Sequence, residues 1–261
     1  MRVRLYTGRP SVYSSALLEQ NLAARAAETG DKVLLVMRHQ LVVTYGRDTP
    51  AGKRNHALYC DGRQIPTVDI DRAGQATVHN EHQLMVYYLT HIPDTPRAKV
   101  TYLTLLQEVI LGFLNGCVPD AIKGSFSASK HLKHPGVFFS SNGQRPKVAA
   151  IGVEFRPAPP GFCTTLHGAA VYLDKAPQTD IVYLCGEPEQ PVTSLADILQ
   201  KKIDPDDAMD RMVQAFVETA GEKAPIIEIN QLWPIRRPTA PARTAPSRTL
   251  EAAAALSQRS H

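Results

Sequence analysis

The stretch that constrains the fold most reads Lys147-Val-Ala-Ala-Ile-Gly-Val-Glu-Phe155, with Pro146 directly before it. Small and β-branched apolar residues dominate this stretch, so it predicts a buried strand. Gly152 indicates a place where the strand backbone packs closely against another group. We expect Lys147 to be partly withdrawn from water, which would lower its pKa and make its amine usable as a base.

Further elements are predicted on both sides of this strand. Strands are predicted over 33–37, 41–45, 67–71, 83–89 and 164–173, and residues 47–66 read as a long loop with a small hairpin. Helices are predicted over 14–29, 100–114 and 205–220. This alternation predicts an α/β (α+β) fold, a single domain with a mixed sheet flanked by helices.

The helix boundaries also follow from the sequence. In the first helix, Leu18, Leu22 and Ala26 share a face that we expect to be buried. Asn115-Gly116 is predicted to end the second helix. Asp204 is predicted to cap the third helix, with Pro205 in its first turn, and Thr193 marks a further helix start.

Composition places the chain among ordinary globular proteins. It has 261 residues, of which 43% are hydrophobic and 21% are charged. No apolar run approaches the roughly 18 residues of a membrane helix. The N-terminal residues MRVRLYTGRP contain no apolar stretch and no cleavage site, so we expect no signal peptide and a cytoplasmic location.

The C-terminal end differs in composition from the rest of the chain. From about Pro234 to His261, proline, alanine, arginine and serine dominate, which predicts a disordered tail over 234–261 after a domain over 1–233. Much of the net charge of +4 lies in this tail, so the rest of the chain is close to neutral. The charge therefore gives no reason to expect nucleic-acid binding.

Four cysteines are present, and their spacing fits neither a zinc site nor a C-x-x-C pair. We expect no disulfide, and we interpret Cys60, Cys117 and Cys163 as structural. Cys185 precedes Gly186 and lies shortly before the predicted helix start, a position that favours a thiolate.

Several common catalytic motifs do not occur. The sequence has no G-x-x-x-x-G-K-[ST], G-x-G-x-x-G, G-x-S-x-G, H-E-x-x-H or EF-hand pattern. This argues against most nucleotide-binding, metal-dependent and serine-hydrolase functions, and no metal or cofactor is expected.

An ordered set of segments resembles the lipoyl(octanoyl) transferases, which belong to the superfamily of lipoate and biotin protein ligases. The family pattern R-G-G-x-x-T-Y-H-G-P-G-Q is similar to Arg72-Ala-Gly-Gln-Ala-Thr-Val-His-Asn-Glu-His-Gln83. K-[IV]-A-A-I-G matches 147–152, H-G matches His167-Gly168, and C-G followed by V-T-S-L matches Cys185-Gly186 and 192–195. Upstream, 34–47 resembles the family strand that ends in H-x-x-x-x-T-x-G-R. The resemblance spans roughly residues 10 to 200 and implies a fold like that of the lipoate/biotin protein ligases.

The resemblance also implies an activity. Members of the family move an octanoyl (medium-chain acyl) group from octanoyl-acyl carrier protein to a lysine of a lipoyl domain, and no cofactor is needed because the thioester is already activated. By resemblance, Cys185 would carry the acyl group and Lys147 would tune the cysteine and shuttle protons. The implied substrate-binding residues are Arg72, Ala73, Gly74, Gln75, Ala76, Thr77, Val78, His79, Ala150, Ile151, Gly152, His167, Gly168 and Ala169.

The implied partners follow from the same resemblance. The donor would be octanoyl-acyl carrier protein. The acceptors would be lipoyl-domain proteins, namely the E2 subunits of 2-oxoacid dehydrogenases and the H protein of glycine cleavage. We expect a monomer that binds neither nucleic acid nor membrane.

The sequence departs from the family pattern at several positions. Ala73 replaces a glycine, Val78 a tyrosine, Tyr172 an asparagine and Leu184 a proline. Asn80-Glu81-His82 replaces Gly-Pro-Gly, which we expect to put bulk and charge beside the acyl site. Two alternatives therefore stay open: an ATP-dependent lipoate-type ligase of the same fold, and a non-catalytic relative that binds an acyl chain or a lipoyl-domain protein.

Taken alone, each of these residues also has a plainer interpretation. An isolated Lys147 would be a surface lysine, and Arg72 a partner in a surface salt bridge. His79 and His167 would be structural histidines with satisfied hydrogen bonds.

Overall fold

We describe residues 1–6, 8–129, 135–176, 190–221 and 226–228 in a computed structural model, the last range by its backbone alone. The helices within these ranges are α1 (Tyr13–Glu28), α2 (Pro96–Cys117), α3 (Leu195–Leu199) and α4 (Pro205–Ala220), with two short 3-10 turns at Ala51–Lys53 and Asp120–Ile122. The predicted tail over 234–261 lies outside the described residues.

Most strands of the first half of the chain are short. They are β1 (Arg2–Leu5), β2 (Val33–Met37), β3 (Val42–Tyr45), β4 (Tyr59–Cys60), β5 (Arg63–Gln64), β6 (Thr67–Asp69), β7 (Ala76–His79), β8 (Gln83–Leu89) and β9 (His91–Pro93). The second half contributes β10 (Phe126–Ala128), β11 (Gly136–Phe139), β12 (Lys147–Pro157), β13 (Phe162–Tyr172) and β14 (Ile226–Glu228).

The strands form one large sheet, one small sheet and a hairpin. The large sheet has the order β10-β11-β12-β13-β8-β2-β1-β14, and β9 pairs with β13 as well. In it β1 runs parallel to both neighbours, while the other pairs are antiparallel. The small sheet has the order β6-β3-β7, and β4 and β5 form the hairpin predicted in the long loop. The prediction of an α/β fold with a mixed sheet is confirmed.

Helices cover both faces of the large sheet, and the side chains of β2 are accordingly buried on both sides. Leu34 and Val36 point into a core that they share with α2 and α4. The alternate residues Val33, Leu35 and Met37 point into a second core on the side of α1. Because successive side chains of a strand face opposite ways, a strand that is buried on both faces reads as a continuous apolar run.

The prediction that Leu18 and Leu22 lie on the buried face of α1 is wrong. Leu18 and Leu22 are 53% and 48% exposed, whereas the buried residues of α1 are Tyr13, Ala16, Gln20, Ala23, Ala24 and Ala27. Small side chains let the helix backbone lie close to the sheet, so the alanine-rich face packs inward and the leucines remain outside.

The predicted limits of α2 also need correction. The helix begins at Pro96, where the Thr95 side chain accepts a hydrogen bond from the Ala98 amide, and it continues through Asn115-Gly116 to Cys117. The Asn115 side chain accepts a hydrogen bond from Gly124 beyond the helix rather than ending it. By length and composition alone α2 could cross a membrane. Its buried side chains, however, pack with α4 in the core of the domain.

The C-terminal helices follow their predicted signals more closely. The Asp204 side chain accepts hydrogen bonds from the first amides of α4, and Gly221 ends the helix in a left-handed conformation. The helix start predicted at Thr193 lies two residues later, because Ser194 caps α3 and forms a reciprocal pair with Asp197. The helix that follows has only five residues.

Candidate active site

A cavity of about 210 Å³ lies between the large sheet and the small sheet. Residues of β12, β13 and β8 line it on the large-sheet side, among them Ala150, Gly152, Gly168, Ala170, Met85 and Tyr87. The small-sheet side is formed by the loop 72–74 together with Thr77 and His79 of β7, and Tyr13 of α1 adds a further wall. The cavity therefore depends on elements from distant parts of the chain.

Two glycines let the walls of the cavity approach one another. Gly152 and Gly168 pair across β12 and β13. A Cβ on Gly168 would overlap the backbone carbonyl of Val86 in β8, and a Cβ on Gly152 would lie 3.1 Å from Cδ of Arg72. Glycine at these positions thus lets protein groups pack closely against the two strands. The sequence predicted such a close approach to the backbone at Gly152.

Arg72 is buried and holds the cavity loop in place. Its guanidinium donates hydrogen bonds to the Thr44 carbonyl (3.1 Å), the Thr44 hydroxyl (3.1 Å) and the Thr77 hydroxyl (2.7 Å). The next residue, Ala73, donates its backbone N–H to the carbonyl of Val153 in β12 at 3.3 Å. Arg72 is therefore no surface ion-pair residue but a positive charge in the cavity wall.

Two buried histidines lie side by side near this wall. The His79 ring is within 3.4 Å of the Thr44 hydroxyl and 3.3 Å of the Gln83 amide oxygen. His39 forms a hydrogen bond of 2.6 Å between its Nε2 and the Tyr87 hydroxyl. Burial lowers the pKa of His39 to about 4 and that of His79 well below its usual range. Both rings are therefore neutral at pH 7.

His167 adopts a backbone conformation that is uncommon for a residue with a side chain. Its φ is 61°, and its backbone N–H donates a hydrogen bond to the Gln20 side chain of α1 at 3.2 Å. Its Nε2 is 4.0 Å from a carboxylate oxygen of Glu154. Burial, followed by the charges of Arg72 and Arg156, lowers the pKa of His167 to about 3. This ring is also neutral at pH 7.

Lys147 is the first residue of β12 and is only 5% exposed. Its ammonium lies 5.4 Å from the centroid of the Phe138 ring, and it forms no ion pair with a described carboxylate. Its backbone N–H donates to the Pro191 carbonyl at 2.8 Å, and its carbonyl accepts from the Thr193 amide at 3.0 Å. Lys147 is thus a buried cation beside the chain that follows Cys185, which itself lies outside the described residues.

The charged residues of the cavity wall are all cationic. Arg47, Arg72 and Lys147 line the cavity, and no described residue of its lining carries a carboxylate. A cavity with this charge favours a ligand or a reaction intermediate that is negatively charged or partly so.

Most of the predicted substrate-binding residues line this cavity. They are Arg72, Ala73, Gly74, Thr77, His79, Ala150, Ile151, Gly152, His167 and Gly168. Ala76 and Val78 alternate with the lining residues of β7 and pack inside the small sheet. Ala169 points into the core beneath α2 and α4, and Gln75 contributes its backbone carbonyl to a bond with Gly46. None of these four lines the cavity, and Ala76, Val78 and Ala169 face away because neighbouring residues of a strand point to opposite sides.

The sequence did not predict the remaining lining residues, which are Tyr13, Arg47, Met85, Tyr87, Leu103, Pro135, Val153, Phe155 and Ala170. Arg47 ends the H-x-x-x-x-T-x-G-R stretch, a signal that could have identified it. Tyr13 and Tyr87 carry no local signal, since only the packing of α1 and β8 brings them to the cavity.

The turn Asn80-Glu81-His82 does not line the described cavity. The Asn80 side chain accepts a hydrogen bond from the His82 amide, which gives the tight turn between β7 and β8. The carbonyl of His82 accepts from Leu173 at 2.9 Å, and its ring lies 3.7 Å from Asp174. The turn thus joins the end of β13 rather than the cavity wall.

Comparison with known families agrees with this architecture. The family described as the lipoyl protein ligase A/B catalytic domain matches residues 11–217. The chain belongs to this family. This membership confirms the resemblance that the sequence motifs indicated.

Relatives within the lipoyl protein ligase A/B family include octanoyltransferases. The octanoyltransferase of Neisseria gonorrhoeae (strain NCCP11945) is 32% identical over 199 residues, which are 76% of this chain and 84% of that protein. The octanoyltransferase of Mycolicibacterium paratuberculosis (strain ATCC BAA-968 / K-10) is 29% identical over 213 residues, 80% of this chain and 83% of that protein. The chain is therefore an enzyme of the acyltransferase class, as predicted.

Solved structures of lipoate ligases share the fold of this family member. A bipartite lipoate protein ligase from Thermoplasma acidophilum superposes with a TM-score of 0.66 at 14% identity, over 88% of each chain. The protein Ta0514 of T. acidophilum, solved with bound lipoic acid, gives a TM-score of 0.65 at 16% identity, over 89% of this chain and 91% of that one. The predicted fold is confirmed.

Proposed function

We propose that this enzyme transfers an octanoyl group from octanoyl-acyl carrier protein to a lysine of a lipoyl-domain protein, through a thioester on Cys185. Lys147 acts as the proton shuttle and tunes the cysteine. The acceptors are lipoyl-domain proteins such as the E2 subunits of 2-oxoacid dehydrogenases and the glycine cleavage H protein.

The observation that carries this proposal is the environment of Lys147. Burying an ammonium without a counter-charge is unfavourable, and no described carboxylate pairs with Lys147. A thiolate or a tetrahedral oxyanion would supply that counter-charge during the reaction. Cys185 precedes Val192 by seven positions, and Val192 pairs with Lys147 as an isolated bridge. The chain between them spans at most about 25 Å, so a cysteine at position 185 can reach the lysine.

The chemistry balances without ATP. The Cys185 thiolate attacks the carbonyl of the donor thioester, a new C–S bond forms, and the carrier departs as a thiol with a proton from Lys147. The neutral amine of the acceptor lysine then attacks the acyl-enzyme. The amide C–N bond forms, the Cys185 C–S bond breaks, and Lys147 takes up the proton that the amine loses.

The cationic wall supports both steps. Each step passes through a tetrahedral oxyanion, and fixed positive groups lower the free energy of such a species. The neutral rings of His39, His79 and His167 add no positive charge there, so the cations that act at pH 7 are the lysine and arginines.

Intact-mass measurement tests the acyl-enzyme. After incubation with octanoyl-acyl carrier protein, the wild-type protein should gain one octanoyl group, and Cys185→Ala should gain none, because the attacking sulfur is gone. Cys163→Ala is the matched control and should acylate like the wild type. A wild-type protein that gains no mass, yet joins lipoate to a lipoyl domain when ATP is supplied, would be a ligase. A protein that does neither would be the non-catalytic relative.

The role of Lys147 has a separate test. Removing an ammonium beside a thiolate raises the thiol pKa, so Lys147→Ala should shift alkylation of Cys185 by iodoacetamide to higher pH. Lys99→Ala is the control, because Lys99 pairs with Asp94 at the start of α2. Identical pH curves for Lys147→Ala and the wild type would show that Lys147 does not tune Cys185.

A further inference from the structure

Arg145 is an exposed arginine whose orientation the structure fixes on several sides. Its Nη2 donates to the Ser127 hydroxyl (3.0 Å) and the Ala128 carbonyl (3.1 Å) of β10. Its guanidinium lies over the Phe138 ring, 4.6 Å from the centroid. The Gln190 side chain donates to the Arg145 carbonyl at 3.2 Å. A guanidinium held in this way loses little further entropy when it binds a ligand.

Part of this guanidinium is still available for hydrogen bonds. Of the five N–H groups of an arginine, Nη2 carries two, and both have partners here. The N–H groups of Nε and Nη1 have no partner among the described residues, and no described carboxylate pairs with Arg145. Both edges of the fork that bind a carboxylate through two parallel hydrogen bonds include Nη2, so Nε and Nη1 can each donate one separate charge-assisted hydrogen bond.

Two cations share one aromatic ring at this place. The Lys147 ammonium is 5.4 Å from the centroid of Phe138, so the two charges are at most about 10 Å apart. Adjacent like charges repel, and no described acidic side chain neutralises either of them. The arrangement therefore favours a partner that brings a negative charge next to the reacting centre.

The distance between the two cations limits which group, of the acceptor or of the carrier, can supply this negative charge. If Lys147 acts on the acceptor amine, Arg145 lies beside the acceptor chain within about three residues of the modified lysine, at roughly 3.3 Å per residue. The carrier's phosphate, in contrast, is a whole pantetheine arm away from the thioester carbonyl. A carboxylate on the acceptor chain is therefore better placed than this phosphate to accept a hydrogen bond from Nε or Nη1 of Arg145.

We propose that Arg145 recognises an acidic side chain that flanks the acceptor lysine of the lipoyl-domain protein. This inference rests on the proposed function and adds a specificity-determining residue to it. Arg145 contributes to binding of the acceptor, and Phe138 acts as its positioning residue by supporting the guanidinium.

Single-turnover kinetics separate the two steps of the reaction. The enzyme is first acylated with octanoyl-acyl carrier protein and then mixed with a lipoyl-domain acceptor. Arg145→Gln should lower kcat/KM for the acceptor roughly tenfold, mainly through KM, which is the size expected for one charge-assisted hydrogen-bonded pair. It should leave the rate and extent of acylation within twofold. Arg211→Gln, which removes the same charge from α4, should change neither step.

A matched change in the acceptor completes the test. Replacing the acidic residues that flank the target lysine by their amides should slow the wild-type enzyme by a similar factor and should slow Arg145→Gln little further. Arg145→Lys should recover only part of the rate, because an ammonium keeps the charge but lacks the planar group that stacks on Phe138 and bonds to β10.

The possible failures are distinguishable. Full acylation shows that the variant is folded and forms the acyl-enzyme of the proposed function, whereas a wild-type enzyme without acylation would refute the function itself. If acylation occurs but Arg145→Gln transfers at the wild-type rate, Arg145 has no role in acceptor recognition. If the variant slows acylation and not transfer, Arg145 binds the carrier, which also overturns the proposal.

Discussion

At the scale of single residues, Gly152 and Gly168 form a cross-strand pair in which the same substitution has different consequences. An added methyl group on Gly168 would overlap the backbone of β8, which cannot move without breaking the sheet. An added methyl on Gly152 would meet the Arg72 side chain at 3.1 Å, and a side chain can shift. Packing inside the sheet therefore tolerates a methyl group at one position of the pair and not at the other.

We predict that Gly168→Ala lowers the free energy of unfolding by about 3 kcal/mol or more, as overpacking against a backbone does. Gly152→Ala should cost roughly 1 kcal/mol and should slow acyl-enzyme formation, because the displaced Arg72 forms the cavity wall. Urea unfolding and the acylation rate measure the two effects. Equal losses of stability in both variants would contradict this explanation.

At the scale of an element, α1 shows that the buried face of a helix is chosen by shape as well as by hydrophobicity. We predict that Ala24→Leu, on the buried face, costs about 1–3 kcal/mol, because the helix lies too close to the sheet for a larger side chain. Leu18→Ala, on the exposed face, should change stability by no more than about 0.5 kcal/mol. Thermal unfolding of the two variants compares the faces directly, and a larger loss for Leu18→Ala would restore the original expectation.

The same helix marks the limit of what the sequence reveals about elements. Strands such as β2, β8 and β12 were predictable, because a run buried on both faces leaves a continuous apolar pattern. The inward face of α1 was not predictable, because its leucines recur at the same helical spacing as its alanines and either set could face the sheet. At the site, the family motifs located Arg72, His79 and Lys147, whereas Tyr13 and Tyr87 become neighbours only through tertiary packing.

At the scale of the whole molecule, buried neutral histidines link stability to pH. The pKa of His39 is about 4 and that of His167 about 3 in the folded state, against about 6.5 in an unfolded chain. Between these values the unfolded state binds more protons, so stability rises with pH and is lost as pH falls below 6.5.

We predict that each of these two histidines lowers the free energy of unfolding by roughly 2 kcal/mol between pH 7 and pH 5. His39→Gln should reduce this pH dependence by about the same amount, even though it also lowers stability at pH 7. Urea unfolding at both pH values checks the prediction, and a slope that persists in His39→Gln would exclude His39 as its cause.

The parallel pairing of β1 with β14 has a consequence for the way this protein is made. Val3 pairs with Ile226, so a ribosome releases the two partners more than two hundred residues apart. Until the later strand emerges, one side of β1 presents unpaired amides and carbonyls to the solvent and to nascent copies of the same chain. Release of the polypeptide before β14 would leave that side open, so the synthesis of β14 also removes a site at which the growing chains could aggregate.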